Sequence, residues 1–427
     1  MTYAIAQFND TFPPLMDGVA VVVWNYASWL HHNFGTCYVV VPRIPESRRL
    51  KPRFGQEWLA GRAEKTEKAA EAEEVEKEGK AEKAGKVCTQ ADFPIIRYFS
   101  MPLPFRYPYR IGLPWLDWRF LRELDRLNFN LVHAHNPFSA GMIARKYARK
   151  HHVPIVATFH SSIHEFIDRL LHSRVATREI VRKVADYYDS VDSVWVSSDF
   201  TGNILKEYGC RKEPVVIPHG VDLLPRQEPE VEWAEGNRVL GTAVGDKVLL
   251  YVGYLSHEKN LCFLIRALGK VKKMGLNFKM FFVGEGYARP QLEELVRNLE
   301  LTDEVRFVGL IRERELLRLY YARADLFLFP SVNDTYAMVI REAAAFKVPS
   351  VVVEGTAVAA AIKDSEDGFV TERNPEGYAE KIAFLLRNPE KIKRAGEGAF
   401  RQLYIPCDKV MGKVAELYKQ IMKIGTP

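Results

Sequence analysis

Short apolar runs alternate with longer stretches of mixed apolar and polar residues along most of this chain. The runs from Lys247 to Gly253 and from Ala324 to Pro330 are almost entirely apolar, which is typical of strands buried on both faces. The mixed stretches carry apolar residues at helical spacing, as expected for helices that cover a sheet. The pattern therefore predicts an α/β fold with two doubly wound, Rossmann-like domains.

The predicted boundary between the domains lies near the segment 218–222. A strand over 214–217 ends there, and an irregular acidic stretch from Gln227 to Glu235 precedes the next strand. The sequence thus predicts an N-terminal domain over 1–220 and a C-terminal domain over 221–407. Ligands of doubly wound folds bind at the carboxyl ends of the strands, so we expect the active site in the cleft between the domains.

One segment of the N-terminal domain departs from this pattern. Residues 62–86 consist mainly of Glu, Lys and Ala, with seven positive and eight negative side chains. Such a run can form many i,i+4 ion pairs but can bury no apolar face. We interpret it as an inserted helix or arm that carries no catalytic residue.

Charge is distributed unevenly over the 427 residues. The net charge is +6, and residues 1–220 carry 30 Lys or Arg against 25 Asp or Glu. Two basic groups stand out, Arg145 to Lys150 and Arg169 to Lys183. They indicate either an anionic bilayer surface or a solvated helix face. A nucleic-acid partner is not predicted, because no binding-module signature accompanies the charge.

Targeting and redox signals are few. No apolar run approaches transmembrane length, and the chain begins with a predicted strand. The five cysteines are scattered, without a Cys-x-x-Cys pair, as in proteins of a reducing compartment. We expect a cytoplasmic protein, or one attached peripherally to the inner face of the membrane.

Two carboxylates flank a predicted strand-to-helix junction. The strand from Ala324 ends at Pro330, and a helix is predicted from Tyr336 to Phe346. Asp334 then lies in the loop and Glu342 about two turns inside the helix. A helix start offers unpaired N–H groups and a positive dipole end, which suit a phosphate. The alternatives are a helix-capping acid and a solvated or ion-paired Glu.

His133 and His135 have the spacing of a metal pair. Alternate residues of a strand face the same side, however, and the sequence offers no third ligand. We therefore interpret the pair as structural and predict no metal site.

The junction resembles the signature of GT-B nucleotide-sugar glycosyltransferases of family four. That signature has Pro-Ser, then Glu, seven residues and a second Glu, with Gly three places after the first. Here Asp334 stands for the first Glu and Ala337 for the Gly, whereas Glu342 matches the second Glu. A second match lies at 251–260, where Lys259 is retained and Tyr254 replaces the family's Arg.

Weaker matches follow in the family's order. They include the turn Gly284-Glu-Gly286, the strand from Val305 to Ile311 and the late turn from Asp364 to Phe369. The N-terminal half resembles a bacterial subgroup linked to diacylglycerol glucosylation and cell-envelope glycans, through the Gly18 loop and the Thr-x-His motif that ends at His160. The resemblance also implies that the final helix, within 408–427, crosses back to the N-terminal domain.

The resemblance implies a retaining hexosyltransferase that uses a UDP- or GDP-sugar and an acceptor hydroxyl of a lipid or envelope glycan. In the family's terms, Asp334, His160 and Lys259 are the catalytic candidates. Those for donor binding are Gly18, Lys259, Ile311, Ala337, Met338, Val339 and Glu342. No tightly bound cofactor is implied. The alternatives are a non-catalytic nucleotide-sugar-binding protein and another GT-B enzyme such as an epimerase.

Overall fold

The computed structural model describes residues 3–13, 17–44, 91–102, 110–160, 167, 173–225 and 228–424. The charged insertion 62–86 lies outside this range, as do Arg169 and Cys88.

Among the described residues, the first sheet is parallel and has seven strands in the order β3-β2-β1-β6-β7-β8-β9. These strands are β1 Tyr3–Phe8, β2 Gly35–Pro42, β3 Ile95–Tyr98, β6 Leu131–Ala134, β7 Ile155–Phe159, β8 Ser193–Val196 and β9 Val215–Val216. Its helices are α1 Gly18–Asn33, α2 Trp118–Asp125, α3 Ser139–His151, α4 Arg174–Asp189 and α5 Asp199–Glu207. A short antiparallel pair, β4 Ser100–Pro102 with β5 Arg110–Gly112, precedes the 3-10 turn Pro114–Leu116.

The second sheet is also parallel and has six strands in the order β12-β11-β10-β13-β14-β15. They are β10 Val248–Val252, β11 Lys279–Val283, β12 Val305–Gly309, β13 Leu326–Phe329, β14 Ser350–Val353 and β15 Phe369–Thr371. The helices are α6 Pro229–Leu240, α7 Leu261–Lys273, α8 Arg289–Asn298, α9 Arg314–Arg323, α10 Met338–Ala345, α11 Ala357–Ala360, α12 Pro375–Arg387, α13 Pro389–Gln402 and α14 Cys407–Ile424, with a 3-10 turn at His257–Lys259.

The predicted α/β fold with two parallel sheets is confirmed. Every residue of β10 and of β13 is buried, as their uninterrupted apolar sequences require when helices cover both faces of a sheet. The segment near Gly220 lies between the last strand of the first sheet and the first strand of the second.

Two local predictions are wrong. Within the predicted irregular stretch from Gln227 to Glu235, residues 229–235 form the start of α6, with Pro229 in the first turn and Gly241 in the left-handed conformation at the end of the helix; Gln227 lies outside the described residues. Helix α10 begins at Met338, two residues later than predicted, so Glu342 lies about one turn inside it.

Helix α14 packs on the N-terminal sheet. Its buried Tyr418 stacks on Trp195 of β8 at 5.4 Å between ring centroids. The indole Nε1 of Trp29 donates a hydrogen bond to the carboxylate of Asp408 over 2.9 Å. The end of the chain therefore completes the hydrophobic core of the first half. None of the helices in the described ranges is long and apolar enough to cross a membrane.

Candidate active site

The junction between β13 and α10 leaves helical N–H groups without side-chain partners. Ala337 occupies the N-cap position with φ 49° and ψ 77°, and no side chain of the described residues caps the helix. The first amides of α10 are therefore available to an anion in front of the helix.

Lys259 and Asp334 meet beside this junction. The ammonium Nζ of Lys259 lies 2.6 Å and 2.8 Å from the two carboxylate oxygens of Asp334, and both side chains are about one-quarter exposed. Asn260 next to the lysine has φ 57°, and its side chain donates to the carbonyl of Pro330 over 3.3 Å. The left-handed residue turns the chain so that the 3-10 turn His257–Lys259 approaches the loop after β13.

Glu342 is buried in a network of its own. One carboxylate oxygen lies 3.1 Å from the Arg314 guanidinium, and the other accepts a hydrogen bond of 2.8 Å from the Tyr321 hydroxyl. Burial, and then the charge of Glu342, raises the pKa of Tyr321 well above its usual value, so the phenol remains a donor. Arg314 also pairs with Asp222, which follows the predicted domain boundary.

His160 follows β7 and lies in a chain of three imidazoles. Its Nε2 is 3.1 Å from His135 Nδ1, and its Nδ1 is 3.2 Å from His219 Nε2. Burial lowers the pKa of His160 to about 3 and lowers those of His135 and His219 well below 6.5. All three rings are therefore neutral near pH 7, and each carries one N–H.

The amide oxygen of Gln7 sets the direction of this chain. It lies 2.8 Å from His135 Nε2, which must carry the proton. His135 Nδ1 then accepts from His160 Nε2–H, and His160 Nδ1 accepts from His219 Nε2–H. The chain ends at His219 Nδ1, a buried nitrogen without a hydrogen-bond partner in the described part of the structure.

The metal-like pair His133 and His135 is engaged elsewhere. His133 Nδ1 lies 2.5 Å from the Tyr418 hydroxyl, and its Nε2 lies 2.7 Å from the Thr158 hydroxyl. The structural interpretation fits these contacts, since all four ring nitrogens of the pair face protein groups.

The loop that carries Asp334 also contacts the N-terminal half. The Thr335 hydroxyl donates to the backbone carbonyl of His160 over 2.9 Å. The Tyr336 hydroxyl accepts from the backbone N–H of His219 over 3.0 Å. These contacts hold the loop that carries Asp334, and with it Lys259, against the N-terminal segments of His160 and His219.

The remaining donor-site candidates differ in their surroundings. Met338 and Val339 form the first turn of α10, and Ile311 follows β12; all three pack partly buried against the C-terminal core. Gly18 is the exposed first residue of α1, and an added Cβ would meet no atom of the described residues within 4 Å. The fold itself therefore does not require glycine there.

A cavity of about 510 Å³ adjoins the Lys259 turn. It is lined by His257, Glu258, Asn260, Phe263, Tyr287, Val332, Asn333 and Arg373. Tyr254, which stands where the resemblance expects Arg, lies next to Tyr287, with 6.2 Å between ring centroids. Arg373 is thus a cation near the site that the sequence pattern did not indicate.

Sequence reasoning also missed Arg314, Tyr321 and His219. Arg314 and Tyr321 reach Glu342 only through the packing of α9 on α10, so no local spacing marks them. His219 stood in the sequence only as part of a predicted boundary. Its position before Gly220 and after a strand was the one available signal.

Two family models match the chain. Residues 16–223 match the model described as Glycosyltransferase Family 4, and residues 235–402 match the one described as Glycosyl transferases group 1. The two matches follow each other and together span both sheets.

Several curated proteins are similar to the chain. Alpha-monoglucosyldiacylglycerol synthase of Streptococcus pneumoniae is 29% identical over 60% of this chain and 59% of that enzyme, so the similarity spans less than two thirds of the relative. The synthase of the same name from Acholeplasma laidlawii is 25% identical over 66% of this chain and 72% of that enzyme. A GDP-mannose-dependent phosphatidylinositol dimannoside mannosyltransferase of Mycobacterium tuberculosis is 26% identical over 58% and 63%.

Solved structures share the fold at low identity. HepE of Anabaena, solved with UDP and glucose, has a TM-score of 0.71 at 15% identity and is matched over 98% of this chain and 100% of that chain. Sucrose-phosphate synthase of Thermosynechococcus elongatus has a TM-score of 0.74 at 16% identity, over 99% and 100%. These likenesses establish the architecture of two Rossmann-like domains facing a cleft.

Proposed function

The chain belongs to the GT-B glycosyltransferases of family four, and on that premise we propose that it is a retaining hexosyltransferase. It moves a sugar from a UDP- or GDP-sugar to an acceptor hydroxyl. The observation that carries the proposal is the convergence of Lys259, Asp334 and the open start of α10, with Glu342 about one turn further along.

In this proposal, stabilisation of the diphosphate leaving group lowers the reaction barrier more than any other interaction in the site. Negative charge grows on the diphosphate as the bond to the sugar breaks. The ammonium of Lys259 and the amides near Ala337, Met338 and Val339 face that charge in a sheltered cleft. Fixed donors of this kind stabilise a developing anion more strongly than water does, because they need no reorganisation.

The Lys259–Asp334 ion pair gives the site a defined state before the donor binds. A diphosphate that approaches α10 competes with Asp334 for the ammonium, and Asp334 is then free to accept from sugar hydroxyls. The lysine is held near its working position, which reduces the conformational entropy lost on binding.

Retention proceeds without an enzyme nucleophile, as is proposed for the family. The acceptor oxygen bonds to the anomeric carbon on the face that the diphosphate leaves, and the acceptor proton passes to a departing phosphate oxygen. Closure of the two domains excludes water that would hydrolyse the donor.

Glu342 and Ile311 hold the nucleoside in this account. The Glu342 carboxylate accepts from the ribose hydroxyls, and Ile311 borders the base. Arg314 and Tyr321 already bond to that carboxylate, so they fix its orientation before the ribose arrives.

His160 acts in this proposal chiefly through its position. Both ring nitrogens bond to other histidines, and its carbonyl accepts from Thr335, which adjoins Asp334. A direct bond from the ring to the donor sugar or the acceptor requires one imidazole contact to open. His160 therefore couples the N-terminal half to the loop that carries the catalytic carboxylate.

The proposed acceptor is a hydroxyl of a membrane lipid, bound by the N-terminal half. The relatives from Streptococcus pneumoniae, Acholeplasma laidlawii and Mycobacterium tuberculosis bear the names of glycolipid-forming enzymes, which supports this acceptor class. An envelope glycan is the second acceptor of the same reaction class.

A non-catalytic nucleotide-sugar binder is the second candidate function. It is favoured by Tyr254, Asp334 and Ala337, which depart from the family signature within one site.

Purified protein is incubated with UDP- and GDP-sugars, with diacylglycerol vesicles as acceptor, and the anomeric configuration of the product is read by NMR. Transfer with retention supports the proposal; donor binding without transfer or hydrolysis supports the binder.

A further inference from the structure

Large apolar side chains are exposed in one region of the N-terminal half. Trp115, Leu116 and Trp118 are 51%, 63% and 64% exposed. They belong to a group that we call the aromatic patch, which consists of Phe99, Met101, Ile111, Trp115, Leu116, Trp118, Phe138 and Met142. We infer that the aromatic patch docks this protein on the surface of an anionic lipid bilayer.

Hydrogen bonds and packing make the patch contiguous. Met101 pairs directly with Ile111 across the β4–β5 ladder, so their side chains lie on one face. The Asp117 carboxylate accepts from the backbone N–H of Phe99 and from that of Phe120, both over 3.1 Å, which ties the hairpin to the start of α2.

Helix α3 adds the other edge of the patch. A Cβ at Gly112 of β5 would lie 3.1 Å from Ser139, the first residue of α3. Phe138 precedes that residue, and Met142 follows one turn later, so both project from the end of α3 that β5 touches. The apolar surface therefore runs from the hairpin through α2 to α3.

Basic residues accompany the aromatic patch. Residues 110–151 carry eight Lys or Arg against three Asp or Glu, an excess of five in a chain whose net charge is +6. Two of the three acids are engaged within the fold, since Asp117 caps α2 and Asp125 pairs with Lys150 over 2.5 Å. Arg119, Arg122, Lys146 and Arg149 are exposed on α2 and α3.

This combination matches the chemistry of a lipid surface. Indole rings favour the headgroup level, where an apolar body and a polar N–H are both accommodated. Each Lys or Arg near an anionic leaflet adds attraction that salt screens. The excess of five positive charges over residues 110–151 complements an anionic leaflet, and a protein partner is an outcome of the test.

The patch adjoins the acceptor side of the cleft. The Asn136 side chain accepts from the backbone N–H of Phe138 over 3.3 Å and donates to Asn9 at the carboxyl end of β1 over 2.8 Å. Asp10 accepts from the backbone N–H of Ala140 over 3.1 Å. A bilayer against the patch would bring lipid headgroups to this edge; only this link to catalysis rests on the proposed function.

The test measures cosedimentation of the full chain with vesicles of phosphatidylcholine, with and without phosphatidylglycerol. We expect binding to the anionic vesicles that weakens as salt rises. Trp115→Ser/Trp118→Ser should weaken it about tenfold or more, and Arg119→Gln/Arg122→Gln should weaken it severalfold. The matched control is Phe384→Ser/Val244→Ser, which removes two exposed apolar side chains from the C-terminal half and should leave binding unchanged.

Several outcomes would overturn the inference. One is that the tryptophan variant binds vesicles as well as the control does. Another is that binding does not depend on the charge of the lipid. A third is that the native protein is a dimer that the tryptophan variant disrupts, while neither the native protein nor the variant binds vesicles. The arginine variant keeps the test valid if the tryptophan variant fails to fold. Nucleoside-diphosphate binding is measured in parallel: vesicle binding without nucleotide binding leaves the docking surface standing and removes the proposed function.

Discussion

At the scale of single residues, the tautomers of three histidines are fixed by one amide. Because the Gln7 oxygen accepts from His135, we predict that His135 and His160 are protonated only on Nε2, and that His219 Nδ1 carries no proton. Two-bond ¹⁵N–¹H correlation spectra of ¹⁵N-histidine-labelled protein near pH 7 report these states directly. A proton on His219 Nδ1 would contradict the assigned direction of the chain.

Glu342 offers the second test at this scale. Glu342→Gln keeps an oxygen that accepts from Tyr321 but removes the charge that faces Arg314. We expect the affinity for nucleoside diphosphate to fall by about 2 kcal/mol, because a charge-assisted acceptor of the ribose hydroxyls is lost. Calorimetric titration gives the value.

The matched control for Glu342 is Glu397→Gln, which removes a carboxylate from a surface ion pair with Lys347. It should leave nucleotide affinity unchanged. Native affinity in a folded Glu342→Gln protein would remove Glu342 from the donor site.

The sequence marks single residues of the candidate site unequally. Lys259, Asp334 and Glu342 stand in motifs with fixed spacing, and the structure brings Lys259 and Asp334 into direct contact. Arg314, Tyr321 and Arg373 could not be predicted, since they reach the site through tertiary packing. The contacts of the His160 ring with His135 and His219 could not be predicted either, because the sequence does not show which side chains face one another.

At the scale of elements, the start of α10 carries backbone strain. Ala337 has φ 49°, a conformation that costs an L-residue roughly 1 kcal/mol and glycine much less. We predict that Ala337→Gly changes the free energy of unfolding little or raises it by up to about 1 kcal/mol, since glycine's larger unfolded-state entropy offsets part of the gain. Urea unfolding measures this.

Ala344→Gly is the control for Ala337, since Ala344 lies buried inside the same helix. That variant should lower the free energy of unfolding by about 1 kcal/mol or more. A comparable loss in Ala337→Gly would show that the left-handed N-cap is not a point of strain.

Elements were predicted best where the chain is apolar throughout. β10 and β13 lie within one or two residues of their predicted ends, because continuous apolar runs bounded by Gly or Pro fix a buried strand. α6 was missed because acidic and apolar residues mix in it without a clear stripe. The late start of α10 depends on the conformation of Ala337, which the sequence does not reveal.

For the molecule as a whole, four histidines with lowered pKa values make stability depend on pH. Burial lowers the pKa of His160 to about 3 and those of His133, His135 and His219 well below 6.5. The unfolded chain therefore binds more protons than the folded one once the pH falls below about 6.5. The neutral histidines therefore contribute their full stabilisation above about pH 6.5. Below that pH, the free energy of unfolding falls by about 1.4 kcal/mol per pH unit for each histidine.

Asp10 opposes this trend, because burial raises its pKa to about 6 and its stabilising contribution is lost as the pH rises through that value. Asp17 shifts in the same direction. Two acids offset four histidines only in part, so we predict that the free energy of unfolding falls by on the order of 3 kcal/mol between pH 7.5 and 5.5. Urea unfolding at both pH values tests this, and equal stability would contradict it.

Calorimetric titration of UDP and GDP shows whether Lys259 and the start of α10 form the diphosphate site. We predict that the native protein binds at least one of them and that Lys259→Ala weakens this binding by about 1.5 to 3 kcal/mol, or roughly tenfold to a hundredfold. Lys347→Ala, which removes a surface lysine paired with Glu397, should bind as the native protein does. Equal affinity in Lys259→Ala and the native protein would contradict the placement of the donor site.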